Sequence, residues 1–119
     1  MAGAGRSGRL SAHFTAAELA CPHCGVTLAR ARLVTLLERI RSHVGGPLPI
    51  VSVYRCPVHN KQVGGAVDSM HMYGAAADLR RSTLRLQDAF DLGAVGVGTA
   101  GEWAVHVDVR DGERAHWVY

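Results

Sequence analysis

Residues 68–80, DSMHMYGAAADLR, place two groups that can bind a metal, His71 and Asp78, seven positions apart among small residues. Gly74 allows the chain to turn sharply after His71, because glycine adopts backbone conformations that other residues avoid. The alanines at 75–77 let the backbone return close to the same centre. The segment therefore predicts a turn followed by a strand, with His71 and Asp78 directed at one point.

A second segment supplies a third group of the same kind. Residues 104–110, AVHVDVR, alternate strictly, so His106 and Asp108 project to one face of a predicted strand and the valines between them to the other. Three nitrogen or oxygen ligands with an open fourth position are the arrangement of a catalytic zinc site. His71, Asp78 and His106 are therefore candidate zinc ligands, although a strand histidine is often only a hydrogen-bonded polar group.

The rest of the chain alternates between helical and strand patterns. Residues 31–44 carry apolar side chains at helical spacing, and residues 82–93 form a second predicted helix. A capping-box pair, Thr15 and Glu18, indicates a short helix before them. The predicted strands are residues 47–54, 75–80, 94–98, 103–110 and 115–119. The pattern predicts an α+β fold, a small antiparallel sheet with helices packed on one side.

Length and charge bound the function. The chain has 119 residues, 48% of them hydrophobic, which predicts a single domain at residues 13–119. Because chain ends are often poorly ordered, we expect a flexible N-terminal tail at residues 1–12. The net charge of +3 is spread along the chain. Without a basic stripe and interleaved aromatics, we expect no nucleic-acid partner. No apolar run predicts a signal peptide or a membrane span, so we expect synthesis in the cytoplasm without a signal peptide.

The cysteines form a second candidate metal site. Cys21 and Cys24 lie in a C-x-x-C pattern, and Cys56 precedes His59 by three residues. Together they are the ligand set of a structural Cys3His zinc site. Two alternatives stay open, buried reduced cysteines or a disulfide, because the sequence does not show whether the two pairs meet. A reducing cytoplasm would favour the metal over a disulfide, which predicts a second zinc ion.

Residues 69–79, SMHMYGAAADL, resemble the S-x-H-x-x-G-x-A-x-D motif of the zinc D-Ala-D-Ala carboxypeptidase family. That family includes phage endolysins and shares its fold with the hedgehog signalling domain. The fixed positions are filled by Ser69, His71, Gly74, Ala76 and Asp78. HVD at residues 106–108 is similar to the second motif, whose histidine is the third zinc ligand. The resemblance extends over residues 13–119, and further segments along the chain are similar to a compact phage-type branch.

The resemblance implies a hedgehog/DD-peptidase-like domain with Zn²⁺ bound by His71, Asp78 and His106. It implies hydrolysis of peptide bonds in peptidoglycan stem peptides or cross-links, of the carboxypeptidase or endopeptidase type. We then expect a peptidoglycan peptide as partner, and delivery to the cell wall by phage lysis machinery or as part of a virion. The alternative is a non-catalytic zinc-containing module of the same fold that binds cell wall or protein.

The resemblance also suggests roles in substrate binding. Arg55 matches an arginine after the central strand and is assigned to the substrate carbonyl or the oxyanion. A surface salt bridge is the alternative. Ser69 is expected to bind substrate or to orient the loop that carries His71, and a local turn bond is its alternative.

The general base is where the chain departs from the family. Several members carry Asp or Glu three residues before the last zinc histidine, and here that position is Trp103. We favour Asp108 as the base, because strand geometry fixes its direction, and Glu102 is the alternative base. The other interpretation of Asp108 is a carboxylate that orients His106 or Arg55.

Overall fold

The computed structural model describes residues 8–80 and 82–119. Its elements are a 3₁₀ helix at Ala17–Leu19, α1 (Ala31–Val44), β1 (Ile50–Ser52), α2 (Pro57–Gln62), a second 3₁₀ helix at Met70–Tyr73, β2 (Ala76–Leu79), α3 (Leu86–Leu92), β3 (Gly96–Ala100), β4 (Trp103–Asp108) and β5 (Ala115–Val118). The α+β fold class is confirmed. None of the described helices combines the length and the apolar character needed to cross a membrane.

The five strands form one sheet in the order β1-β2-β4-β3-β5. The first three pairings are antiparallel, as predicted, but β5 pairs parallel with β3, so the sheet is mixed. The register explains the exception. Asp108 at the end of β4 pairs with Gly96 at the start of β3, and the connection at 109–114 crosses this end. Chain leaving β4 therefore enters β5 beside Gly96 and runs along β3 in the same direction.

Helix α1 provides the largest part of the core. Its buried residues follow the predicted spacing and are Leu33, Val34, Leu36, Leu37 and Ile40. The helix ends at Gly45, which has a φ of 73° and donates its N–H to the carbonyl of Arg41. A left-handed residue at this position is the usual stop for a helix, and glycine adopts it without strain.

The two faces of the sheet have different roles. Ala77, Val97 and Val107 join the buried side chains of α1 in one hydrophobic cluster, and α3 packs against β3 and β4. Because side chains alternate along a strand, the neighbouring residues Asp78 and His106 project to the opposite face. Helices α1 and α3 therefore lie on one face of the sheet, and the opposite face carries the polar residues Asp78 and His106.

The N-terminal segment contacts α1. Residues 1–7 of the predicted tail lie outside the described residues. In the remainder, Arg9 forms a bridge with Thr15, and the Ser11 hydroxyl donates to Glu38 on α1. The backbone N–H of His13 donates to the same carboxylate at 2.7 Å. These bonds attach residues 9–15 to the outer face of α1.

Candidate metal centre

His71 lies in the second 3₁₀ helix, and its side chain is only 2% exposed. Its Nδ1 lies 2.7 Å from the carbonyl oxygen of Val53. A carbonyl only accepts, so Nδ1 carries the proton and Nε2 is left with a free lone pair. Nε2 is buried and has no hydrogen-bond partner among the described residues, although it lies 3.2 Å from Oδ1 of Asp78. An orphaned buried acceptor facing a carboxylate calls for a cation between them.

The turn after His71 depends on Gly74. Its φ is 65°, in the left-handed region. A Cβ at this position would lie 2.5 Å from the carbonyl oxygen of Leu28. No larger residue fits there, so the prediction that Gly74 turns the chain has a second physical reason in close packing.

Asp78 lies on β2 and pairs in register with His106 on β4. Its Oδ1 is 3.0 Å from Nδ1 of His106, and its Oδ2 accepts from Nη2 of Arg55 at 2.9 Å. Burial alone would raise the pKa of Asp78, but the two histidines outweigh it and hold the pKa well below its usual range. The carboxylate is therefore charged and presents Oδ1 to His71 and His106 together.

His106 completes the group. Its Nε2 donates to Oδ2 of Asp108 at 2.9 Å, and its Nδ1 faces Oδ1 of Asp78. Because Asp108 holds a proton on Nε2, a metal would be bound by Nδ1. Burial would lower the pKa of His106, but Asp108 and Asp78 raise it above its ordinary value. The ligand atoms of His71, Asp78 and His106 all lie within 4.8 Å of one another. The structure thus brings together the three predicted ligands in a centre that attracts positive charge.

Asp108 is fully buried and does not line the cleft above this centre. Besides His106, it binds Arg110, which donates from Nε to Oδ1 at 2.9 Å and from Nη2 to Oδ2 at 2.7 Å. A Cβ on Gly96 would lie 2.2 Å from Oδ2, so a glycine is required beneath the carboxylate. Both oxygens are occupied. This placement does not support the predicted base role, and corresponds to the other interpretation, a carboxylate that orients His106.

Glu102 is also remote from the centre. It lies in the turn between β3 and β4, its side chain is 60% exposed, and it pairs with Arg85 at 3.2 Å. Among the described residues that line the cleft, the carboxylates are those of Asp78 and Asp68. Asp68 accepts from the Tyr73 hydroxyl at 2.6 Å. The strand argument overlooked Asp68 because it searched only near His106.

Arg55 and Ser69 both support the metal ligands. Arg55 donates to Asp78 and, from Nη1, to the Asn60 side chain at 3.2 Å, and its own side chain is 14% exposed. The salt bridge that was the alternative for Arg55 is thus present, but it is largely buried and binds a metal ligand. The Ser69 hydroxyl accepts from the backbone N–H of His71 at 3.2 Å, a local bond that orients the loop.

An open cleft of about 770 Å³ lies over the centre. Residues 64–66 and 68–71 line one side, and Arg110, Trp117 and Tyr119 line the other. The Trp117 ring lies 4.9 Å from the His106 ring, and a Cβ on Gly98 would be 2.6 Å from the indole nitrogen. Sequence reasoning missed this wall. The signal was the glycine pair of β3, because glycine within a strand often marks a close approach.

The three cysteines meet at a separate place. The Sγ atoms of Cys21, Cys24 and Cys56 lie within 4.8 Å of one another. Burial opposes ionisation of Cys21, but backbone N–H groups outweigh it and lower its pKa to about 7. Neither the predicted fourth ligand, His59, nor His23 belongs to this group of three. His59 donates its backbone N–H to Cys56 at 3.4 Å, because Cys56 is the N-cap of α2, whereas Nδ1 of His23 lies 3.4 Å from the same sulfur.

A family model described as Peptidase M15 matches residues 12–108. The matched range includes all three ligands of the candidate metal centre and all three cysteines. It ends before the Arg110 and Trp117 wall of the cleft. No curated protein matches the chain.

Proposed function

Because the chain belongs to the peptidase M15 family, whose members are zinc-dependent peptidases, we propose that its substrate is the peptide of peptidoglycan. The bonds cleaved would be those of stem peptides or cross-links. One observation carries the proposal: a ring nitrogen from each of two histidines and one aspartate oxygen converge at the floor of an open cleft. The motif at 69–79, similar to that of D-Ala-D-Ala carboxypeptidases, supports this substrate class.

The three residues fit a catalytic zinc ion. The Val53 carbonyl holds a proton on Nδ1 of His71, and Asp108 holds one on Nε2 of His106, so Nε2 of His71 and Nδ1 of His106 are the nitrogens that would bind the ion beside the charged Asp78. The set supplies three of the four ligands that zinc prefers, and the cleft leaves the fourth side open. Zinc held there would lower the pKa of a water molecule and polarise a peptide carbonyl.

Three neighbours hold the ligands in place before substrate arrives. The Val53 carbonyl fixes the tautomer of His71, and Asp108 fixes that of His106. Arg55 binds the second oxygen of Asp78, so that only Oδ1 is directed at the centre. Such partners determine ligand orientation and basicity, and their loss usually lowers metal affinity by about 10–100-fold.

The remaining requirement is a group that moves a proton from water to the leaving amine. Asp108 is enclosed and Glu102 pairs with Arg85 outside the cleft. Asp68 is the one carboxylate lining the cleft, within the described residues, that does not belong to the metal centre. It is therefore the first residue to test for this role.

The decisive experiment is digestion of purified peptidoglycan by the zinc-loaded protein, with mass analysis of the fragments. Loss of terminal D-Ala identifies a carboxypeptidase, and opened cross-links identify an endopeptidase. His71→Ala should abolish both, whereas Glu102→Gln, a matched change outside the cleft, should leave the rate unchanged. Binding of peptidoglycan without any fragment release would contradict the proposal and favour a binding module.

Delivery to the wall by a phage lysis system or a virion is part of the same proposal. It predicts that protein added from outside lyses cells whose outer barriers have been removed. Intact cells after treatment with protein that degrades purified wall would contradict it.

A further inference from the structure

Three cysteines converge outside the cleft, with His23 beside one of them, in a place that the peptidase reaction does not use. Cys21 and Cys56 are buried, Cys24 and His23 are exposed, and all three thiols are free. We propose that Cys21, Cys24, Cys56 and His23 bind a second zinc ion, with a structural role. The proposal does not depend on the substrate of the cleft.

The distances fit a tetrahedral ion. Zinc–sulfur bonds of about 2.3 Å and zinc–nitrogen bonds of about 2.0 Å place sulfurs about 3.8 Å apart and a sulfur about 3.5 Å from a nitrogen. Nδ1 of His23 lies 3.4 Å from Sγ of Cys56. The three sulfurs lie within 4.8 Å of one another, and His23, which is exposed and close to Cys56 alone among them, would turn towards Cys21 and Cys24 to complete the geometry.

The backbone prepares the loop for this role. Cys21 donates its N–H to the Val26 carbonyl and accepts from the N–H of Gly25, both at 2.8 Å. Gly25 has a φ of 76°, which closes the turn, and a bridge between Ala20 and Thr27 joins its ends. The loop thereby presents both cysteines of the C-x-x-C pattern to Cys56.

Backbone amides also point at the sulfurs. The N–H of Cys56 donates to Sγ of Cys21 at 3.5 Å, and the N–H of His59 donates to Sγ of Cys56 at 3.4 Å. Donors around sulfur favour the thiolate, which is the form that binds a metal. A disulfide would use two sulfurs and leave the third sulfur and His23 without a function, whereas one zinc ion uses all four groups.

The site would stiffen an arm of the metal centre. Cys56 caps α2, and the residue before it, Arg55, binds Asp78. A zinc ion between residues 21–24 and Cys56 ties the N-terminal loop to that arm. Because metal binding free energy becomes folding free energy, a domain of this size gains substantial stability from such a link.

Zinc analysis of the full chain, purified with a reductant, tests the proposal. We expect two zinc ions per chain, and one in a His71→Ala, His106→Ala double variant that retains only the cysteine site. Adding Cys24→Ser to that background should remove the remaining zinc, and cobalt in its place should lose its thiolate charge-transfer absorption. Because Cys24 is exposed, the change should leave the circular dichroism spectrum of the fold intact.

A matched histidine pair tests the fourth ligand. In the double variant, His23→Ala should weaken zinc binding at least tenfold in competition with a chromophoric chelator, whereas His59→Ala should leave it unchanged. Equal effects, or a larger effect of His59→Ala, would overturn the assignment of His23. A zinc-free double variant, or a disulfide found by mass analysis without reductant, would overturn the site itself.

Discussion

Replacing Asp108 with asparagine tests whether this carboxylate orients His106 or acts as the base. The change preserves volume but removes an anion that is fully buried and accepts four hydrogen bonds, one from His106 and three from Arg110. Each oxygen accepts two of them. Whichever way the amide lies, its NH₂ therefore faces two donors that lose their acceptor.

The magnitude follows from these contacts. Each unsatisfied buried group costs about 1–3 kcal/mol, and the Arg110 side chain, 29% exposed, recovers part of this by contact with water. We expect Asp108→Asn to destabilise the fold by about 3 kcal/mol, or about 10 °C in melting temperature. Zinc affinity at the metal centre should fall about 10–100-fold, because the His106 tautomer is no longer fixed.

Urea unfolding followed by tryptophan fluorescence at fixed free zinc measures the stability, and chelator competition measures the affinity. Glu102→Gln is the control and should change neither. The opposite pattern, with midpoint and zinc affinity unchanged and turnover reduced about a hundredfold, is what a general base would give. That result would refute the orienting role.

Three further changes test other parts of the site and fold. Gly98→Ala should destabilise by about 1–3 kcal/mol and reduce turnover without releasing zinc, because its Cβ meets the indole of the cleft wall at 2.6 Å; Gly46→Ala, with no atom within 4 Å, should have little effect in the same assays. Arg55→Lys keeps the charge but cannot contact Asp78 and Asn60 at the same time. Zinc affinity should therefore fall about tenfold, whereas Arg85→Lys at the surface should leave it unchanged. Glu38 has its pKa lowered from 4.5 to about 2, because hydrogen bonds to the N-terminal segment outweigh burial. The charged Glu38 therefore stabilises the fold above pH 4.5 by about 1 kcal/mol after solvent screening. In urea unfolding, the difference in unfolding free energy between wild type and Glu38→Gln should vanish as the pH falls to about 2. A difference that persists at that pH would contradict this account.

The convergence of His71, Asp78 and His106 could be predicted in part, because the direction of each side chain depends on local geometry. Alternation on β4 determines which face His106 occupies, and the turn at Gly74 returns Asp78 to His71 within seven residues. The same alternation placed Asp108 on the correct face. Alternation did not show that the Arg110 side chain, two residues further on, donates hydrogen bonds to both oxygens of Asp108. That contact depends on how the two groups are enclosed beneath the cleft wall.

Features that depend on distant pairing were not predictable in the same way. Strand β5 pairs with the edge of β3 that faces away from β4. Its parallel direction depends on which edge is left free, and this is determined only when β2 and β3 have paired with β4. The path of the loop at residues 21–25 determines that His23 lies next to Cys56. His59 follows Cys56 by three residues because Cys56 caps the first turn of α2, and this spacing does not make His59 a ligand. Sequence spacing shows which residues share an element, and it does not show which loops meet.

The glycines of β3 also show which positions around the cleft can be substituted and which cannot. A Cβ at Gly96 would lie 2.2 Å from the buried carboxylate of Asp108, and a Cβ at Gly98 would lie 2.6 Å from the indole nitrogen of Trp117. No side chain therefore fits at either position. Ala66, Asp68 and Tyr119 line the opening and are exposed. A library meant to change the preferred peptide should therefore vary Ala66 and Tyr119 and keep Asp68 and both glycines, so that selectivity is altered while the metal centre and the candidate base are preserved.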